Sequence, residues 1–294
     1  METPTLAVYL FGFNLNRIVY PWHASIRSAL SLVGIEGAVY FCECMSGDDT
    51  YTDCLDTFAP QIEAGLLHIS RHPWADTYYT DDEERSQRGY KIQAVIANHL
   101  LDQIGEKYDF ALKLDADEVL CEWSFLDFYT DLQFMKGANM LLGRPHYTHL
   151  CPDDQHEFDF IYRSKAVLSQ TRSGFRYDLG RGGDACALGG SREYQTRLEV
   201  MHYGKMSLGR EKEALMKEYE FQQNYLELGF PDPLVVKQVQ EKGYIDYDEI
   251  FQVAHREGRF RPYAGPHPTF VIDYLEKAHV RSTNFFRQLS RSQQ

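Results

Sequence analysis

Between Thr5 and Leu114, short apolar runs alternate with stretches of helical periodicity, and that alternation constrains the fold most. Thr5–Phe11 (TLAVYLF), Ala38–Cys42 (AVYFC), Leu66–Ser70 and Phe110–Leu114 read as strands. Trp22–Val33 carries apolar residues at Ile26, Ala29, Leu30 and Val33, and Gly34 supplies a natural stop. A second helix is expected near Thr52–Ala64, closed by Gly65. A third is expected over Arg85–Ile104, with Ile92, Val95, Ile96, Leu100 and Ile104 on one side. Strands alternating with helices mean a parallel sheet with crossover helices, and such sheets bind ligands at the carboxyl ends of their strands. The loops at Gly12, at Glu43 to Thr50 and at Asp115 to Glu118 all leave such ends.

The last of these is the most charged. Phe110–Leu114 is apolar but for one Lys, and it runs into Asp115, Ala116, Asp117 and Glu118. Three carboxylates so close repel one another unless something positive sits among them. In an extended segment Asp115 and Asp117 point to the same side, where they can share a hard cation such as Mg²⁺ or Mn²⁺. The alternative is an acidic, solvated turn, since D-x-D is a short pattern that also arises by chance.

The formal net charge of −13 disfavours a protein held to nucleic acid through its phosphates. The six cysteines, Cys42, Cys44, Cys54, Cys121, Cys151 and Cys186, show no zinc-like spacing and read as reduced thiols of a cytoplasmic protein. No secretory leader, no run of membrane-spanning length, no repeat and no low-complexity tract is expected.

A β-α-β-α-β half ending in an apolar strand plus D-x-D resembles the GT-A glycosyltransferases, and most closely glycosyltransferase family 2. Glu43 followed by Ser46, Asp48 and Thr50 repeats the family's acidic residue and S-x-D-x-T spacing. The resemblance implies a GT-A (Rossmann-like) mixed central sheet flanked by helices, with a helical C-terminal extension. It implies a catalytic domain over residues 1–205, made of a nucleotide-binding half (1–120) and an acceptor half (121–205). It also implies that residues 206–294 form the extension, packed on the same domain.

It further implies a donor site built from Phe11, Gly12, Glu43, Arg88, Lys91, Asp115 and Lys205, with Glu43 at the nucleobase. Arg88, Lys91 and Asn98 share one helix face, and an ordinary solvated face is the alternative for them, above all for Asn98. Mn²⁺ or Mg²⁺ would be held by Asp115, Asp117 and His202, the last at the end of a strand over Leu198–Tyr203. Asp115 would act on the metal through water or on the ribose. Asp184, in the Gly-rich run Tyr177–Gly190, is the implied catalytic base, with Asp178 and Glu157 next. Its alternative is a turn residue.

The implied reaction is transfer of a sugar from a UDP-sugar, or alternatively a GDP-sugar, to an acceptor hydroxyl with inversion. Acceptor choice is expected in loops over Tyr147–Glu157 and Thr171–Gly183. The strands Met140–Leu142 and Phe158–Arg163 and the amphipathic helix Arg210–Leu228 complete the outline. The segment Tyr263-Ala-Gly-Pro-His267-Pro, which also recurs in the bacterial enzymes of this resemblance, reads as a rigid turn. Two other readings stand beside this one. Asp115-Ala-Asp117-Glu118-Val119 fits a phosphatase of the haloacid-dehalogenase type, with Asp115 as nucleophile. A nucleotide-sugar-binding protein without turnover has the same residues.

Overall fold

Strand β1 (Leu6–Gly12) is buried along its whole length, because its two faces feed two different cores. Leu6, Val8 and Leu10 join a cluster with α2 (Trp22–Val33) on one side. Ala7, Tyr9 and Phe11 join a second cluster with α5 (Gly89–Ile104) on the other. A sheet covered on both faces needs strands that are apolar on both faces, which is what the run TLAVYLF provides. The computed structural model describes residues 3–18, 21–73, 89–150, 156–158, 167–177, 193–203, 256 and 260–276.

The other elements of the first half are α1 (Leu15–Ile18), β2 (Ala38–Glu43), α3 (Thr50–Thr57), α4 (Ala59–Glu63), β3 (Leu67–Arg71) and β4 (Phe110–Lys113). Then follow β5 (Glu118–Leu120), α6 (Phe125–Ala138), β6 (Leu142–His149), β7 (His156–Phe158), β8 (Leu168–Gln170), β9 (Glu193–His202) and β10 (Phe260–Pro262). Among the described residues, eight strands form one mixed sheet in the order β3-β2-β1-β4-β8-β6-β9-β5. The first four are parallel, β8 runs antiparallel to β4, and β9 runs parallel to β6 and antiparallel to β5. This is the mixed α/β sheet with flanking helices that the sequence led us to expect.

Gly34 stops α2 at φ 60°, with its N–H on the carbonyl of Leu30, a backbone that glycine adopts without a Cβ penalty. The single helix expected over Thr52–Ala64 is two, broken at Phe58. Pro60 has no N–H to give and its ring would strike the carbonyl of Asp56, so it can only begin a new helix. Helix α6, which the reading of the sequence passes over, buries Phe128, Leu132 and Met135 and ends at Asn139 with φ 53°. Strand β6 starts at Leu142 and continues through Tyr147–His149, expected as loop, because β9 pairs with those residues. The register shifts between Arg144 and His146, around Pro145, which has no N–H for the ladder. The helix over Arg210–Leu228 and most of the C-terminal extension lie outside the described residues. Within 260–276, Val271 and Leu275 pack with Val119, Cys121, Met201 and Tyr203.

Asp109, just before β4, ties the sheet to α6. Its carboxylate accepts from the Thr5 N–H at 3.0 Å and lies 2.7 Å from Lys136 Nζ. Burial pushes the carboxyl upward, and the bonds to Lys136 and Thr5 outweigh it, leaving the pKa below the ordinary carboxylate value. A depressed folded-state pKa contributes stability above the unfolded-state value, and that stability is lost as pH falls through the folded one. Asp109→Asn is therefore expected to lower stability by about 1.5 kcal/mol at pH 7. The deficit should shrink to nothing below the folded-state pKa. Urea unfolding at pH 7 and in that acid range checks it. An equal deficit at both pH values would separate the loss from the carboxylate's charge.

Candidate functional site

Gly12, Glu43 and Arg71 end β1, β2 and β3 in one register row, Gly12 opposite Glu43 and Glu43 opposite Arg71. Glu43 is fully buried, and a carboxylate taken out of water needs donors. Oε1 accepts the Ser46 N–H at 2.5 Å and Oε2 accepts from Arg71 Nε at 2.8 Å. The Arg71 guanidinium in turn lies 4.4 Å above the Tyr51 ring. Beside Glu43, hydrogen bonding with Cys42, burial and the neighbouring charges raise the pKa of Cys44, so that thiol stays protonated.

The S-x-D-x-T residues stitch this edge together. Ser46 Oγ accepts the Asn14 N–H at 2.8 Å, Asp48 Oδ1 accepts the Thr50 N–H at 3.0 Å, and Thr50 Oγ1 accepts the Asn16 N–H at 3.2 Å. Gly12 has no room for a side chain, since a Cβ there would overlap the side chain of Leu15. The first and second loops are thus held by their own backbone donors, in the conformation that the close approach at Gly12 requires.

The acidic segment has a positive partner from within its own strand. Lys113 is 1% exposed, its Nζ 2.8 Å from Asp115 Oδ1 and 5.7 Å from the centre of the Phe11 ring. Strand alternation puts residues 113 and 115 on one side. The sequence carried this signal as a Lys interrupting an apolar run. Glu118 is also fully buried, and its Oε2 accepts the Asp115 N–H at 2.9 Å, which folds the segment into a turn. The Glu118 N–H donates to the Asp115 carbonyl at 3.0 Å, closing it.

Asp117 lies within that turn, so the extended segment expected to put Asp115 and Asp117 on one side is not formed, and Asp117 meets β9 instead. Its backbone carbonyl accepts the Tyr203 N–H at 2.7 Å, and its Oδ2 lies 3.3 Å from His202 Nε2. His202 is at the end of β9, opposite Glu118 on one side and His149 on the other. Its Nδ1 is 3.1 Å from His149 Nδ1. Among the described residues no group of three or more His, Cys, Asp or Glu converges as a metal cage. Asp117 and His202 converge as a pair. Two protein donors suit a cation that takes its remaining ligands from water and substrate phosphates, and cis ligands about 2.1 Å from an ion stand about 3 Å from each other. The pair therefore fits a bound divalent cation.

Other candidate residues fall elsewhere. Arg88, Asp178, Asp184 and Lys205 lie outside the described residues, and of Lys91 only its place in α5 is described. Asn98 is not a solvated residue of α5. Its Oδ1 accepts the Tyr177 N–H at 2.9 Å and its Nδ2 donates to the Tyr177 carbonyl at 3.1 Å, a two-point clamp on the chain. Tyr177 is buried, its hydroxyl 2.9 Å from that of Tyr9. Glu157 sits in β7 against β10. His267 is more than a turn residue, since its Nδ1 is 3.1 Å from the hydroxyl of Tyr203, next to His202.

No protein-family model and no curated protein matches the chain. Among solved structures it is similar to S. aureus TarS at 11% identity, with a TM-score of 0.39, over 87% of this chain and 43% of that one. A TarS 1-349 structure gives 11% identity and 0.45 over 98% and 90% of the two chains. TarS 1-349 in complex with UDP-GlcNAc gives 15% and 0.31 over 50% and 35%. The chain thus spans 43% of the length of the first of these TarS chains.

Proposed function

We propose that this chain is a metal-dependent glycosyltransferase moving a sugar from a nucleotide-diphosphate sugar to an acceptor hydroxyl, with inversion. The observation that carries the reading is the convergence of Asp117 and His202 at the end of a D-x-D strand, on the sheet whose other strand ends bring Gly12 and Glu43. An acidic strand end explained by a buried Lys alone would need no imidazole directed at its second Asp.

Bound there, a divalent cation would stabilise the charge that builds on the leaving diphosphate. Asp117 and His202 would hold it, and an imidazole in the donor set favours Mn²⁺ over Mg²⁺. Asp115, its charge offset by Lys113, would bind the ribose or a metal-bound water. Glu43 would receive an N–H of the base, with the Ser46 N–H and Arg71 Nε holding its carboxylate in place. Arg88, Lys91 and Lys205 would add positive charge at the diphosphate. Asp184 would take the proton of the acceptor hydroxyl as it attacks the anomeric carbon opposite the leaving group, a role worth roughly 10²–10⁴-fold. The proposed donor is a UDP-sugar before a GDP-sugar, and the proposed compartment is the cytoplasm.

A thermal-shift screen of UDP-, GDP-, CMP- and dTDP-sugars, each with and without Mn²⁺, tests this. A true donor at 100 times its dissociation constant stabilises the fold by about 2.7 kcal/mol. That shift should require Mn²⁺. Hydrolysis of p-nitrophenyl phosphate with no response to any nucleotide-sugar would favour the phosphatase reading instead.

A further inference from the structure

The Asp117–His202 pair leans on a residue that the proposal above leaves out. His149 ends β6 directly opposite His202 of β9, and His202 is directly opposite Glu118 of β5. Directly opposed residues of adjacent strands share a face, so the three side chains form a row across three strands. The two imidazoles cross at 64° with centroids 4.8 Å apart. His149 is 2% exposed, and the Tyr147 ring lies stacked against it at 6.0 Å. The strands are tied at the same point by the Leu150 N–H on the His202 carbonyl, at 3.1 Å.

Two ring nitrogens at 3.1 Å form a hydrogen bond only if one carries a proton and the other offers a lone pair. In a neutral imidazole the proton on one nitrogen leaves the other as acceptor. The nitrogen that His202 turns toward Asp117 is therefore linked, through the ring, to the bond it makes with His149. We propose that His149 is the positioning residue of this site. By accepting from His202 Nδ1–H it fixes the ring and leaves the Nε2 lone pair to a cation held with Asp117 Oδ2. The inference rests on the metal reading of that pair. With no cation, the arrangement reverses. His202 Nε2–H donates to Asp117, and His149 Nδ1–H donates to His202. Passing between the two moves one proton on each ring to the other nitrogen by way of solvent. Each neutral ring keeps one proton throughout, so the charge does not change.

The test uses the full chain and Mn²⁺ with UDP as probe, read by calorimetry and by the EPR signal of free Mn²⁺. His149→Phe keeps a ring of similar volume and removes Nδ1, and Mn²⁺ affinity should fall about 10- to 100-fold. In His149→Asn the amide oxygen stands near the place of Nδ1, and affinity should stay within a few-fold of the parent. Should the Phe variant fail to fold, ¹⁵N NMR of the parent's histidine rings decides. His202, assigned with His202→Gln, should pass from the Nε2–H to the Nδ1–H tautomer when Mg²⁺ and UDP are added. A His202 that keeps Nε2–H in the Mg²⁺-bound protein overturns the inference. So does a folded His149→Phe with full Mn²⁺ affinity, when Asp117→Asn has lost it. A parent that binds no Mn²⁺ with UDP overturns the metal reading first, and this inference with it.

Discussion

Asp117→Asn is expected to lower metal-dependent sugar transfer about 10³-fold, the equivalent of roughly 4 kcal/mol of charge stabilisation withdrawn from the leaving diphosphate. The substitution keeps the side chain's size and one oxygen, but it removes the negative charge that attracts the cation. The fold should survive, because the bond from the Tyr203 N–H goes to the Asp117 backbone carbonyl, which the substitution leaves in place. His202→Ala should lose activity in the same direction. In both, raising Mn²⁺ should recover part of the loss, which a purely structural defect would not allow. Initial rates with a nucleotide-sugar across a Mn²⁺ series check this. Rates within a few-fold of the parent at every Mn²⁺ concentration would remove the pair from the chemistry.

The other large effect concerns stability. Asp115→Ala is expected to cost about 3 kcal/mol, the low end of what breaking a buried ion pair does. Lys113 is 1% exposed, and the substitution removes the carboxylate 2.8 Å from its ammonium. The Phe11 ring at 5.7 Å offers that charge a weaker attraction. Asp115 is itself 33% exposed, which holds the cost near the lower bound. Adding Lys113→Met replaces the buried charge by an apolar chain of similar length, and most of the loss should return. Chemical denaturation of the parent, both single variants and the double completes the cycle. Additive losses would show that the two residues do not act on each other.

Much of the first half of the chain is legible without coordinates. Strands buried on both faces leave unbroken apolar runs, and Gly34 marks its helix end by a conformation few other residues adopt. The break at Pro60 was missed, although a proline inside a helical pattern is a stop signal whatever surrounds it. Lys113 was readable in principle from its spacing to Asp115. His149 was not. It meets His202 across 53 residues of chain, through a parallel register that shifts at Pro145, and no local pattern encodes that. Asn98 was misread for a related reason. A helix face that looks solvated in the sequence becomes a clamp once the backbone of Tyr177 is laid against it.

The turn through Asp115 and Asp117 also governs when the molecule can be finished. It joins β4 to β5, which stand four places apart in the strand order. Across a flat sheet that distance is about 19 Å. The link from Lys113 to Glu118 reaches about 18 Å only when fully stretched, and the bond from the Glu118 N–H to the Asp115 carbonyl shows that it is not stretched. The sheet therefore has to roll until its eighth strand lies near its fourth, with the acidic turn as the clasp. A chain emerging from the ribosome can pair β1 to β4 as soon as Lys113 is out. The clasp closes only after β9 has been made and has slotted between β6 and β5. Contacts so distant along the chain form slowly. The Asp117–His202 pair is thus assembled among the last features of the fold, so an incomplete chain would have the edge at Gly12 and Glu43 without it.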